Sequence, residues 1–115
     1  MRVGIVGLGA MGMGAAQSCV RAGLETVGCD LSADARAAFE AAGGTAVSSV
    51  AEMGHLDAVM ILVVNAAQTE AVLFGENGLA EKLPKGAVVL AGATTAPEYP
   101  PTVAARLEAL GLQFI

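Results

Sequence analysis

The chain opens on Arg2-Val3-Gly4-Ile5-Val6, an apolar strand-like run that enters Gly7-Leu8-Gly9-Ala10-Met11-Gly12 and then a helical stretch. This G-x-G-x-x-G spacing, set between a strand and a helix, constrains the fold more than any other feature. A chain with 15 glycines produces such spacings by chance, so the flanking elements carry the weight. Each glycine has a physical task. Gly7 permits the tight turn out of the strand. Gly9 has no side chain, so backbone can approach a pyrophosphate closely. Gly12 lets the helix pack against the strand. A pyrophosphate would rest on the free N–H groups and positive dipole end of the helix, with no cationic side chain needed.

Asp30 closes the second predicted strand, eighteen residues beyond Gly12. A carboxylate there accepts hydrogen bonds from the adenosine ribose hydroxyls. It would repel a 2′-phosphate, and the following Leu31-Ser32-Ala33 offers no arginine to hold one. NAD is therefore favoured over NADP.

The rest of the chain alternates strand and helix signals, predicting an α/β fold: a Rossmann-type doubly wound parallel sheet of about six strands. Strands are expected at residues 2–6, 25–29, 45–47, 57–64, 87–91 and 112–115. Helices are expected over residues 10–22, with Met11, Ala15 and Cys19 on one face, and over 32–42, capped by Ser32. Ser49 and Glu52 fit a capping box for one short turn, and Asn65 and Gln68 fit another that starts a helix to about Phe74. Residues 76–83 read as a surface connection. The last helix falls between about Pro97 and Leu110, its start blurred by Pro100 and Pro101.

With 115 residues the chain makes one domain, residues 1–115, and its 55% hydrophobic content predicts a heavily buried core. The longest apolar run, Ala58 to Val64, is too short to cross a bilayer, and the N-terminus lacks a signal peptide's order of regions. A soluble cytoplasmic protein with no membrane partner is expected. The net charge of −5 argues against non-specific attraction of nucleic acid. Lys82 and Lys85 read as a solvated loop. Cys19 and Cys29 lack metal-ligand spacing and read as small buried hydrophobes. No metal site is expected.

The stretch Gly4-Ile5-Val6-Gly7-Leu8-Gly9-Ala10-Met11-Gly12 resembles the N-terminal signature of the β-hydroxyacid dehydrogenases, which include 3-hydroxyisobutyrate dehydrogenase. Met11 before the third glycine is its most distinctive residue. The continuation Met13-Gly14-Ala15-Ala16, Val20-Arg21-Ala22-Gly23-Leu24, Leu62-Val63-Val64-Asn65-Ala66 and Val72-Leu73-Phe74-Gly75 is most similar to the L-threonate dehydrogenase branch. The resemblance implies that Leu8, Gly9, Ala10 and Met11 line the pyrophosphate. It implies that Val63, Val64 and Asn65 border the riboses, that Gln68 helps close that wall, and that Thr94 approaches the nicotinamide. A capping role without a ligand also accounts for Asn65 and Gln68, and a turn role for Thr94. The family's substrate-binding Ser-Thr pair is Ala93-Thr94 here, followed by Thr95, so either Thr95 supplies the hydroxyl or the substrate mode differs.

The resemblance also implies what lies elsewhere. A Gly-rich substrate loop and a helical domain with a catalytic lysine would follow the sixth strand. Lys82 and Lys85 precede the fifth strand, and His55 precedes the fourth on the sheet edge away from the cofactor, so no catalytic residue is assigned in this chain. The expectation is the cofactor domain of an NAD-dependent enzyme that oxidises a small hydroxyacid or sugar acid, inactive by itself. Its partners would be the hydroxyacid substrate and, where removal of the helical domain leaves apolar surface, further copies of itself as a homo-oligomer. Two alternatives stay open: a stand-alone NAD(H)-sensing module without catalysis, and a different Rossmann ligand such as S-adenosylmethionine.

Overall fold

A computed structural model describes residues 1–63, 65–76, 78–92 and 99–115. Its elements alternate as expected: β1 (Arg2–Val6), α1 (Ala10–Arg21), β2 (Glu25–Cys29), α2 (Ala33–Ala41), β3 (Thr45–Val47), a 3₁₀ turn (Val50–Glu52), β4 (Ala58–Ile61), α3 (Ala66–Phe74), β5 (Val88–Ala91), α4 (Tyr99–Ala109) and β6 (Gln113–Phe114). The six strands form one sheet in the order β3-β2-β1-β4-β5-β6, and every neighbouring pair is parallel. This is a doubly wound Rossmann-like sheet. Its order reverses between β1 and β4, where a crevice opens at the carboxyl ends of the strands.

β4 is shorter than the apolar run that predicts it. Val6 pairs with Ile61 and Ile61 with Ala91, so both neighbours of β4 run out together. Past Val6 the chain turns at Gly7, whose φ is 95°. Just past the ladder, the Leu62 N–H reaches back to the Val6 carbonyl at 2.8 Å and the Gly92 N–H to the Ile61 carbonyl at 2.9 Å. Apolar content extends beyond the ladder, and the ladder sets the strand's length.

In α1 the packing face runs through Gly12 and not through the apolar line of Met11, Ala15 and Cys19. Gly12 and Ala16 are its buried residues, while Met11 is 74% exposed. Small residues let the helix axis come close to β1, and a methionine cannot share that line. Cys19 is half-buried and Cys29 is buried. Within the segment read from sequence as a surface connection, residues 76–83, part of the described chain instead reaches the core. Leu79, Ala80 and Leu83 are buried, and the Leu79 and Ala80 amides donate to the Val72 and Leu73 carbonyls at 2.9 Å. Those apolar side chains anchor a segment that has no regular periodicity to announce it.

The main core lies on one side of the sheet and includes Val59, Ile61, Leu73, Leu79, Val89 and Leu107. A smaller cluster of Val3, Ile5, Leu8, Ala16 and Phe39 sits under α1 and α2. Between α3 and α4, Arg106 bonds Glu70 at 2.9 Å and lies 3.6 Å over the Phe74 ring.

The amino end of the sheet is closed by a polar clip. The Arg2 guanidinium donates to the Met53 and His55 carbonyls, and the Asp57 carboxylate accepts the Arg2 N–H at 2.7 Å. That backbone donor, with help from His55, holds the Asp57 carboxyl below its ordinary value of 3.8, against an opposing contribution from burial. A lowered folded-state pKa adds stability that is full above the unfolded value and is lost as pH falls through the folded one. Wild type should therefore exceed Asp57→Asn in unfolding midpoint near neutral pH. The gap should close on acidification below the ordinary carboxylate range. Parallel urea titrations across that range check this, and a pH-independent gap would contradict it.

Candidate cofactor site

Three elements build the site from the crevice floor outward. The first is the glycine turn. A Cβ on Gly7 would fall on the Leu62 carbonyl oxygen, 3.0 Å from its carbon, so the turn passes β4 with no room for a side chain. A Cβ on Gly12 would overlap the Gly7 carbonyl oxygen and lie 2.8 Å from its carbon. Gly9 differs: among the described residues beyond its chain neighbours and its own helix, no atom lies within 4 Å of its missing Cβ. Gly9 is the N-cap of α1, with extended φ −68° and ψ −170°, and it makes no side-chain cap. The leading N–H groups of a helix have no partner within it. Gly7 and Gly9 line the crevice. Ala10 and Met11 are exposed on the first turn of α1.

Leu8 behaves differently from the residues around it. Its side chain is 3% exposed, packed in the smaller core cluster. Its N–H is already donated, at 2.8 Å, to Oδ2 of Asp30.

The second element is Asp30. Its Oδ1 accepts the Ser32 N–H at 2.8 Å, as Oδ2 accepts that of Leu8. A carboxylate has about four acceptor positions, so each oxygen keeps one for a ligand. Two vicinal hydroxyls, as on a ribose, fit that pair. Neighbouring Cys29 is unsuited to chemistry: burial, then the Asp30 and Glu52 carboxylates, push its thiol up to about 11.

The third element is the start of α3. Asn65 caps it, its side-chain oxygen accepting the Gln68 N–H at 2.9 Å. Val63 and Gln68 line the crevice, whose volume is about 560 Å³. The Ser49 cap differs from the expected box. Ser49 Oγ accepts from the Ala51 N–H at 3.2 Å, while the Glu52 carboxylate accepts from Ser48. Of the positions named from sequence, Val64, Thr94, Ala93 and Thr95 lie outside the described residues.

Sequence reasoning missed part of the wall. Ser48, Ser49, Val50 and Leu31 line the crevice too. They follow β3 and β2, so the rule that ligands sit beyond strand carboxyl ends would have found them. His55 lies at the other edge, 3.3 Å from Asp57 and exposed. Among the described residues no cluster of His, Cys, Asp and Glu could hold a metal ion, and no helix is long and apolar enough to cross a membrane.

Residues 2–115 match the family described as the NAD binding domain of 6-phosphogluconate dehydrogenase. The chain belongs to that family. As an NAD-binding domain it is 51% identical over 112 residues to the L-threonate dehydrogenase of Haemophilus influenzae, covering 96% of this chain and 37% of the relative. It is 48% identical to the L-threonate dehydrogenase of Cupriavidus necator, covering 96% of this chain and 37% of that protein. Among solved structures, 3-hydroxyisobutyrate dehydrogenase from Salmonella typhimurium superposes with a TM-score of 0.93 at 47% identity, over 99% of this chain and 40% of that one. The chain thus spans well under half the length of these relatives.

Proposed function

We propose that this chain seats NAD as the cofactor domain, residues 1–115, of a longer dehydrogenase that oxidises a small hydroxyacid. The observation that carries the cofactor assignment is the Asp30 carboxylate, held by one backbone donor on each oxygen with one acceptor position left on each. Gly7, Gly9 and Gly12 give the pyrophosphate its approach to the start of α1, with Leu8, Ala10 and Met11 completing the turn. Val63, Val64, Asn65 and Gln68 border the riboses, and Thr94 approaches the nicotinamide. The adenosine ribose takes Asp30, and a 2′-phosphate there would meet a negative charge, so NADP binds less well.

The nicotinamide, when bound, accepts a hydride from the hydroxyl-bearing carbon. This chain's residues position and desolvate. Among the described residues, the titratable groups lining the crevice are Cys29 and Asp30. Cys29 stays protonated, and Asp30 is engaged by backbone. The hydroxyl proton therefore goes to a base in the remainder of the longer protein, where the lysine implied by the family resemblance would stand.

L-Threonate is the first substrate to test, on the strength of the named relatives. These are dehydrogenases, and no observation favours a sensing module. Cytoplasmic location accords with the free thiols of Cys19 and Cys29. Exposed Met11 and Leu31, on the cofactor side, support association with apolar partners, including a second copy. The deciding experiment assays NADH formation from L-threonate and 3-hydroxyisobutyrate, using this chain alone and the full reading frame that contains it. Turnover by the longer protein and none by residues 1–115 is expected. Robust turnover by the 115 residues would overturn the division of labour, and inactivity of the longer protein on every hydroxyacid would overturn the enzyme assignment.

A further inference from the structure

We propose that Arg36 is a positioning residue that holds the Asp30 carboxylate in its ribose-accepting orientation, and through it the glycine turn; this rests on the NAD reading above. Arg36 stands in α2 and is half-buried, and it does not line the crevice. Any effect it has on a ligand by hydrogen bonding must pass through another group.

The route is visible in the turn from β2 to α2. Nη1 of Arg36 donates to the Asp30 carbonyl at 2.8 Å and to the Leu31 carbonyl at 3.0 Å. The Leu31 carbonyl and the Ser32 N–H belong to one planar trans peptide unit, so they point in opposite directions. Drawing that carbonyl toward the guanidinium aims the Ser32 N–H away from it, at Oδ1 of Asp30. The other carboxylate oxygen is then placed to accept the Leu8 N–H. Arg36 is itself fixed from the helix side. Its N–H donates to the Ser32 carbonyl at 3.1 Å, and Ser32 Oγ caps the Ala35 N–H at 3.2 Å. Helix, turn, carboxylate and glycine loop form one hydrogen-bonded chain, and one guanidinium nitrogen ties two of its links.

The test is a double-mutant cycle read by NAD affinity, using the 115-residue chain and NAD as the probe. Arg36→Met keeps the stem and removes the donors, and should weaken NAD binding by about tenfold. Arg36→Lys keeps a cation with rotatable donors and should stay within about threefold of wild type. In an Asp30→Ala background, Arg36→Met should cost less than about twofold, because the group it positions is gone. Arg36→Gln, with one N–H-bearing end, should fall between Lys and Met and gives the reading if Met does not fold. Wild-type affinity in both the Met and Gln variants would overturn the proposal. So would an equal loss with and without Asp30, which is what plain weakening of α2 produces. If wild type itself shows no saturable NAD binding, the NAD reading fails and the proposal falls with it. If wild type binds and Asp30→Ala weakens it while Arg36→Met does not, only the proposal fails.

Discussion

Gly12→Ala should abolish NAD binding and destabilise the fold by about 3 kcal/mol or more. The added methyl would occupy the space of the Gly7 carbonyl oxygen. Neither side can yield cheaply. Gly7 is fixed by its N–H to the Cys29 carbonyl at 2.8 Å and by its positive φ. The helix is fixed by Gly12 and Ala16 lying against β1. Relief requires α1 to move off the strand, which opens the smaller core cluster around Ile5 and Phe39 and displaces the amides meant for the pyrophosphate. Gly9→Ala is the matched control. Its methyl meets no atom within 4 Å among the described residues beyond its chain neighbours and its own helix, so the unfolding midpoint should stay near wild type. The loss of NAD affinity should nevertheless be large, because the methyl enters the space the ligand needs. Urea unfolding and calorimetric titration of both variants check the pair. A Gly12→Ala protein with wild-type stability would show that helix and turn separate at little cost. A Gly9→Ala protein with wild-type affinity would show that the pyrophosphate does not approach there.

Asp30→Ala should weaken NAD by about 100-fold, the loss of two charge-assisted hydrogen bonds to hydroxyls. It should also lower stability by about 1–2 kcal/mol, because the Leu8 and Ser32 amides lose their acceptor. Asp30→Asn separates these effects. The amide retains an oxygen to accept but not the charge, so more stability than affinity should survive. The Asn variant should also lose much of the preference for NAD over NADP, since the repulsion of a 2′-phosphate goes with the charge. Titrations of each variant with both cofactors measure this directly. If Asp30→Ala bound NAD like wild type, the carboxylate would be a structural tie for the glycine turn and nothing more.

The order of elements was legible because β1, α1 and α2 are each followed by a glycine with a physical reason to stand there. Gly7, Gly23 and Gly43 all take positive φ where the chain must turn. Asp30 was legible for a similar reason: strand end and carboxylate coincide. What the sequence concealed are consequences of contact between distant segments. Nothing in the run Ala58 to Val64 tells where its neighbours stop. Nothing near Leu79 says that Val72 and Leu73 will receive its segment. The line of α1 that meets β1 runs through Gly12, the residue given that task from sequence, and through Ala16, because close helix-to-strand approach favours small residues. The commitment of the Leu8 amide to Asp30 crosses twenty-two residues. Only the folded β1–β2 pairing, Val6 beside Cys29, brings the two together.

The central claim, that the glycine turn and Asp30 form a seat for NAD, is tested most directly by titrating the 115-residue chain with NAD and with NADP at one fixed ionic strength. Saturable binding of one NAD per chain is predicted, at least about tenfold tighter than NADP. NADP binding as tightly as NAD, or no binding of either, would contradict it.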